Sequence, residues 1–116
     1  MHREGADPEN MRPEDFLCDF CGQAWRDDRP FVEGHRGSCV CGNCLWIAYA
    51  VLAVHRSGEP MGEGAVCAMC LESKADEACW RSPVFEAMLI CTRCAKQSAG
   101  VLHQDPETDW RKPGAG

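Results

Sequence analysis

Eight of the ten cysteines in this 116-residue chain form four Cys-x2-Cys pairs. The pairs are Cys18 with Cys21, Cys41 with Cys44, Cys67 with Cys70, and Cys91 with Cys94. Two residues between cysteines let a tight turn direct both sulfurs at one ion, about 2.3 Å away for zinc, and a tetrahedral zinc site needs two such pairs. The spacing therefore predicts metal sites built from thiolates.

The pairs repeat along the chain at nearly constant spacing. Nineteen residues separate Cys21 from Cys41, and twenty separate Cys70 from Cys91. The second set follows the first by 49 residues for one pair and 50 for the other, which indicates an internal duplication. We predict two structural zinc ions, one in each set. The first ion is assigned to Cys18, Cys21, Cys41 and Cys44, and the second to Cys67, Cys70, Cys91 and Cys94.

Other uses of paired cysteines compete with zinc. Four thiolates also suit iron, as in a rubredoxin-like site. A thioredoxin-like redox motif uses one pair and leaves three unexplained. A disulfide framework fits the even cysteine count, but the N-terminal "MHREGADPENMRPED" lacks an apolar export segment. The longest apolar run, residues 45 to 54, is too short to cross a bilayer, so we expect a cytoplasmic protein with reduced thiols.

Two cysteines and the four histidines lie outside the repeat. Cys39 precedes Cys41 by two residues, so a strand would turn both side chains to one face and make Cys39 an alternative ligand. Cys79 has no partner nearby in sequence. We interpret both as small buried apolar residues, with a reactive thiol as the alternative. The histidines at 2, 35, 55 and 103 are expected in solvated or capping positions, because the cysteine sets are complete.

The residues between the ligands of the first set predict the elements that position them. Gly22 follows "CDFC" and suits a tight turn, a knuckle, that presents the thiols. "PFV" and "SCV" predict two strands joined at Gly34 and Gly37. The run after Cys41 predicts a helix from about Asn43 to Arg56. The positive end of this helix would favour thiolates.

The second half repeats this pattern with changes. It lacks the glycine after its first pair, and residues 72 to 78 are expected to form a helical turn or an open loop. Residues 84 to 90 predict a strand or helix that leads into the last pair. The helix after Cys91 is expected to be shorter and more polar than the first, since Gly100 costs a helix about 1 kcal/mol relative to alanine.

Residues 16 to 54 resemble the N-terminal zinc-binding domain of ClpX, the unfoldase ATPase of the Clp protease. The resemblance rests on "CDFCG", on "FVEG" before the second pair, on the separation of the pairs and on the apolar helix after "CGNC". Residues 67 to 102 look like a degenerate second copy. The resemblance implies a treble-clef zinc module that dimerises through apolar surface and recognises adaptors and substrates of an unfoldase. No GxxxxGK[ST] phosphate loop occurs, so the ATPase part is not in this sequence.

The predicted fold class is therefore small α+β, with two tandem treble-clef-like four-cysteine zinc modules packed as an internal pseudo-dimer. Residues 15 to 56 and 66 to 103 form the modules, and residues 57 to 65 form a Gly-containing linker. Residues 1 to 14 and 104 to 116 read as disordered tails, being rich in Pro, Glu, Asp and Gly. A helix that is apolar on every face would need the second module to cover it.

Function is predicted to be non-enzymatic, because no nucleophile elbow, Ser/His/Asp cluster or metalloprotease motif occurs. We expect a protein-interaction module, an adaptor or small subunit, with Trp46, Tyr49 and Trp110 as candidate partner contacts and self-association as a further option. Twelve basic against 18 acidic residues disfavour nucleic-acid binding, which needs a basic face. The alternatives are a nucleic-acid-binding zinc finger and a redox or iron protein.

Overall fold

Two antiparallel hairpins, each followed by a helix, form the framework of the computed structural model, which describes residues 1–114. The elements are β1 (Phe31–Glu33), β2 (Cys39–Cys41), α1 (Gly42–Tyr49), β3 (Glu59–Pro60), β4 (Ala78–Arg81), β5 (Leu89–Cys91) and α2 (Thr92–Gln104). β1 pairs with β2, and β3, β4 and β5 form a second sheet in that order. This small α+β arrangement, with one four-cysteine group in each half, confirms the predicted fold class.

The first hairpin has the two strands that the sequence predicts. Phe31 lies opposite Cys41 and Glu33 opposite Cys39, and a single 3-10 turn, His35–Gly37, joins the strands. Gly37 adopts a φ of 75°, in the left-handed region that glycine enters without steric cost. The hairpin thereby brings the second cysteine pair of the first half next to the knuckle.

The first helix begins one residue before its predicted start, and its π-helical continuation ends two residues before the predicted end. Gly42–Tyr49 is α-helical, and the chain continues as a π-helical segment, Ala50–Val54. Leu45, Ala48 and Leu52 are buried, whereas Trp46 is 47% exposed. The second half thus covers one face of this apolar helix, because α2 packs against α1, and it leaves the face with the candidate partner contact Trp46 open.

The second half agrees with expectation in its middle and departs from it in its helix. Residues 72 to 77 form an open loop with a turn at residues 75 and 76, one of the two forms expected. The strand expected before the last cysteine pair is β5, which begins only at Leu89, after a turn in which the Met88 N–H bonds to the Phe85 carbonyl. The Thr92–Gln104 helix is longer than α1 and as long as α1 with its π-helical continuation, so the prediction of a shorter helix is wrong. Its Ala95, Ala99 and Leu102 are buried, and this packing outweighs the low helix propensity of Gly100.

Buried residues of both halves belong to one continuous apolar core. Phe20 of the first knuckle is fully buried, with its ring centroid 6.0 Å from that of Trp80 on β4. The Ser82 hydroxyl donates a hydrogen bond to the Phe20 carbonyl. At Gly34 the halves approach so closely that an added Cβ would lie 2.7 Å from the Met69 carbonyl oxygen. The halves therefore depend on each other for burial.

The segments predicted as linker and tails contribute contacts. Residues 57 to 65 contain β3, which pairs with β4. Near the N-terminus, the Leu17 N–H bonds to the Met1 carbonyl and His2 stacks edge-on against Phe16. Trp110 contacts the start of α1. Residues 115 and 116, the end of the predicted C-terminal tail, lie outside the described residues.

Leu71 occupies, in the second knuckle, the position that Gly22 holds in the first. Their φ angles are 61° and 78°, and each N–H bonds to the carbonyl of the first cysteine of its own pair, at 2.8 Å. A left-handed conformation costs a branched residue on the order of 1–2 kcal/mol, and glycine almost nothing. The second knuckle therefore keeps the backbone of the first in spite of the missing glycine.

Replacing Leu71 by glycine is expected to stabilise the metal-loaded protein by about 1 kcal/mol, because the strain is relieved and the partly exposed side chain loses little packing. The measurement is urea unfolding at equilibrium with excess metal. Leu71→Ala is the matched control: it removes the same side chain but keeps the Cβ, and should give no gain. Equal effects of the two substitutions would contradict the argument.

Candidate metal centres

Four thiols of the first half converge at the junction of the knuckle and the start of α1. They belong to Cys18, Cys21, Cys41 and Cys44, and all four sulfurs lie within 4.8 Å of one another. The Cys21 and Cys41 sulfurs are 3.7 Å apart. Four sulfurs bound tetrahedrally at 2.3 Å from an ion are about 3.8 Å apart, so this group has the size of a tetrahedral metal site.

The second half contains a matching group. The sulfurs of Cys67, Cys70, Cys91 and Cys94 also lie within 4.8 Å of one another, and those of Cys70 and Cys91 are 3.9 Å apart. In both groups the second cysteine of the knuckle is half-buried, and the other three thiols are buried. The structure therefore brings together both sets of thiols that the spacing groups, and it can hold two metal ions.

Backbone amides support negative charge on the sulfurs. The Cys18 sulfur accepts hydrogen bonds from the Phe20 and Cys41 N–H groups, both at 3.3 Å, and the Cys41 sulfur accepts one from the Cys44 N–H at 3.4 Å. In the second group the Cys91 N–H donates to the Cys67 sulfur at 3.4 Å. Hydrogen bonds to the charged form favour it, so these amides favour thiolate ligands.

The thiols also perturb each other strongly. Hydrogen bonds from Cys41 and Cys44 hold the pKa of Cys18 well below its usual range, and the bond with Cys18 raises the pKa of Cys41 to about 12. In the second group the pKa of Cys67 is lowered in the same way and that of Cys91 rises to about 12. Each group of four thiols therefore loses one proton readily. Loss of further protons is opposed by repulsion between the negatively charged sulfurs, unless a divalent cation offsets that repulsion.

An ion pair beside the second group was not predicted from the sequence. The Arg93 guanidinium, in the first turn of α2, donates to the Glu72 carboxylate just after the knuckle. Glu72 and the Cys70 thiol both raise the pKa of Arg93. The sequence signal for this contact is the placement of Glu72 just after one cysteine pair and of Arg93 within another. The contact ties the knuckle to the helix. Both side chains are exposed, so its contribution to stability is small.

Cys39 and Cys79 are buried but belong to neither group of thiols within residues 1–114. The Cys39 thiol donates a weak hydrogen bond to the Gly37 carbonyl at 3.6 Å, and Cys79 lies opposite Cys91 in the sheet. Burial raises the pKa of both thiols, which disfavours the reactive thiolate. Their positions agree with the interpretation as small buried apolar residues. None of the four histidines joins a metal-binding group in this part of the chain.

The three candidate partner contacts lie in different environments. Trp46 is exposed on α1. Tyr49 is half-buried against the core, and the Lys112 ammonium lies 5.8 Å from the centre of its ring. Trp110 is also half-buried, and its indole N–H donates to the Gly42 carbonyl at 2.8 Å. Trp110 therefore packs on its own chain in the structure.

Comparisons with known protein families, with curated proteins and with solved structures find no match to this chain. The resemblance to the ClpX zinc-binding domain thus stays a prediction from cysteine spacing and local motifs. Among residues 1–114, no helix has both the length and the apolar character needed to span a bilayer. What the geometry establishes is two compact groups of four thiols that are able to bind metal ions.

Proposed function

We propose that this chain is a non-enzymatic protein-interaction module of the cytoplasm, in which two structural zinc ions fix the folds of two treble-clef-like modules. The sulfur separations of 3.7 and 3.9 Å support tetrahedral zinc. All four thiols of each group are supplied by protein, which is typical of a closed structural site and leaves no open position for substrate. In each module a knuckle, a hairpin and the first turn of a helix supply the ligands.

The observation that carries the interaction role is a difference between the two helices. We define the α1 face as Trp46 and Ile47 of α1 together with Val54 of its π-helical continuation, which are 47%, 45% and 44% exposed. The corresponding positions 50 residues later are Lys96, Gln97 and Gln104, which are exposed and polar. The same position in the same kind of module is thus apolar in one copy and polar in the other.

Solvent alone does not account for this difference. A helix that faces water on one side normally has polar residues there, as α2 does at the three corresponding positions, although its Val101 is exposed. Exposed clusters of large apolar residues mark surfaces that bind a partner. Trp46 is also of the residue type most enriched at the energetic centres of interfaces. We therefore assign the α1 face to the binding of a partner protein, with this chain as an adaptor or small subunit.

The experiment places a photo-cross-linking amino acid at position 46 and, as the matched control, at position 96. We expect position 46 to cross-link one specific protein in a cell extract, and position 96 not to do so. With that protein purified, Trp46→Lys combined with Ile47→Gln should weaken binding at least 30-fold, since buried aromatic anchors contribute about 2 kcal/mol or more. Val101→Gln on α2, which changes an exposed apolar residue outside the α1 face, should leave the affinity within about twofold.

Equal cross-linking from both positions, or an affinity unchanged by the double substitution, would contradict the proposed role of the α1 face. Native mass spectrometry of the same preparations separately tests the metal assignment. Two zinc ions per chain are expected in every variant. One ion, iron, or a mass showing disulfides would contradict the zinc assignment whatever the cross-linking result.

A further inference from the structure

A cavity between the two halves opens beside the second group of thiols. Its volume is about 340 Å³, and it lies between the turn that joins β1 to β2 and the first turns of α2. We define the interface cavity as the space lined by Glu33, His35, Cys70, Cys94, Gln97 and Ser98. The His35 N–H donates to the Met69 carbonyl at 2.8 Å, so the turn is held against the second knuckle. Both halves therefore build this cavity, next to two of the four cysteines of the second group.

Ser98 brings an unpaired hydroxyl to the wall of the interface cavity. The residue is only 6% exposed, and its hydroxyl takes part in no side-chain hydrogen bond within residues 1–114. In this range Arg29 Nε is the one side-chain polar atom enclosed in protein without a partner, so the Ser98 oxygen reaches the open space of the cavity. The corresponding residue of α1, 50 positions earlier, is the fully buried Ala48. The fold thus does not require a hydroxyl here, and an unpaired polar group at a buried position indicates a polar ligand.

The two sulfurs beside the interface cavity lack hydrogen bonds from the backbone. The amide hydrogen bond in the second group goes to Cys67, and neither Cys70 nor Cys94 accepts one from any N–H of residues 1–114. Cys70 is half-buried, whereas the other thiols of its group are buried. Hydrogen bonds to a thiolate stabilise its negative charge, and a better stabilised thiolate is a weaker nucleophile. Cys70 is therefore the ligand of the second group that is best placed to react with a small electrophile.

The groups around the interface cavity favour a small uncharged ligand that both donates and accepts hydrogen bonds. The Ser98 hydroxyl and the Gln97 amide can each donate and accept. A divalent ion held by four thiolates leaves about two negative charges on the centre, which disfavours an anionic ligand. Hydrogen peroxide is small and uncharged, forms both kinds of hydrogen bond and oxidises thiolates. The cavity thus combines groups that would recognise a peroxide with a sulfur that would react with it.

We propose that the interface cavity admits hydrogen peroxide to Cys70 and makes the second group a peroxide-sensitive site, an inference that rests on the zinc assigned to this group. The Cys70 thiolate attacks one peroxide oxygen: an S–O bond forms, the O–O bond breaks, and hydroxide leaves with a hydrogen bond from the Ser98 hydroxyl. The Cys91 thiolate, 3.9 Å from Cys70, then attacks the sulfenic sulfur; an S–S bond forms and a second hydroxide leaves. Two thiolates are oxidised to one disulfide, one peroxide is reduced to two hydroxides, and the group loses two ligands and its ion.

The test treats the full zinc-loaded chain with excess hydrogen peroxide and follows zinc release with a metal-binding dye. Samples quenched early are alkylated, and mass spectrometry locates the oxidised sulfurs. We expect the first disulfide to join Cys70 to Cys91 while the first group is still reduced. Ser98→Ala should slow oxidation at least tenfold, because it removes a donor to the leaving oxygen. The matched control is Ser57→Ala, which removes an exposed hydroxyl outside the cavity and should change the rate less than twofold.

Zinc loss to the dye without peroxide should be equal in the unsubstituted chain and Ser98→Ala, which separates slower oxidation from a change in stability. First oxidation in the other group of thiols, or simultaneous oxidation of both groups, would overturn the proposal. A rate unchanged by Ser98→Ala would show that the hydroxyl contacts only water, and would also overturn it. Native mass spectrometry before oxidation tests the zinc assignment separately: two bound ions with an unreactive Cys70 would refute this inference alone, whereas fewer than two would refute the assignment.

Discussion

Removal of the metal ions by a strong chelator is expected to unfold the entire chain in one transition. A structural zinc ion contributes on the order of 10 kcal/mol of folding free energy, which is comparable to the whole stability of a typical domain. Each half has fewer than about fifty residues and is too small to form a stable core by itself. Because buried residues of the two halves form one core, neither half should retain its fold when the other loses its ion.

The measurement combines far-ultraviolet circular dichroism with tryptophan fluorescence during chelation. We expect the helical signal and the environment of the tryptophans to change together at the same chelator concentration. A circular dichroism spectrum unchanged by complete metal removal would refute the prediction. Two separate transitions, one for each ion, would show that the modules fold independently.

Single substitutions provide a control that needs no chelator. Cys41→Ala removes a sulfur from the first group, and should cost one ion and unfold the protein at 25 °C. Cys39→Ala removes an equally buried thiol two residues away that belongs to neither group. It should keep both ions and lose only about 1 kcal/mol of stability, the cost of a small core truncation.

The second large effect is expected from Phe20→Ala, which should destabilise the metal-loaded protein by about 3–5 kcal/mol. The Phe20 ring is fully buried and packs near Trp80 of the other half, so its loss leaves a cavity where the halves meet. The free energy of unfolding is measured by urea titration with excess metal. Phe85→Ala is the matched control, because Phe85 is 37% exposed and its truncation should cost less than about 1.5 kcal/mol.

If the two phenylalanine substitutions cost the same, burial of the Phe20 ring is not the source of the effect, since the Phe85 ring also lies where the halves meet, next to Gly22. A substantial loss for Phe20→Ala accompanied by release of one metal ion would point to the first knuckle alone, since Phe20 lies between Cys18 and Cys21. Metal content is therefore measured on every sample. Retention of both ions with reduced stability is the expected result.

Local features of the sequence were sufficient to predict the metal-binding groups. Ligand spacing depends on short turns, and the pairing of each knuckle with the following helix requires only a hairpin. The strands around Phe31 and Cys39 and the helix after Cys41 were predicted for the same reason. These elements depend on residues close in sequence, where turn chemistry and apolar periodicity are informative.

Tertiary packing decided the features that were not predicted. The length of α2 depends on burial of Ala95, Ala99 and Leu102 against α1, which propensity cannot register. The apolar run after Cys41 does not state which of its faces is covered, and the packing of α2 against α1 decides that Trp46 is exposed. One surface cavity is lined by both Asp27 and Asp109, which lie far apart in sequence and which no local pattern connects.

The segment between the modules has a consequence for how such a pair is used. A pair of separate subunits dissociates when the protein is dilute, whereas halves joined by a short segment have an effective concentration in the millimolar range. Here β3 also pairs that segment with β4, which shortens the tether further. The paired state is thus independent of expression level. Because the tether keeps the halves together, the outer surfaces of α1 and α2 need not contribute to pairing and can differ, apolar at Trp46 and polar at Lys96.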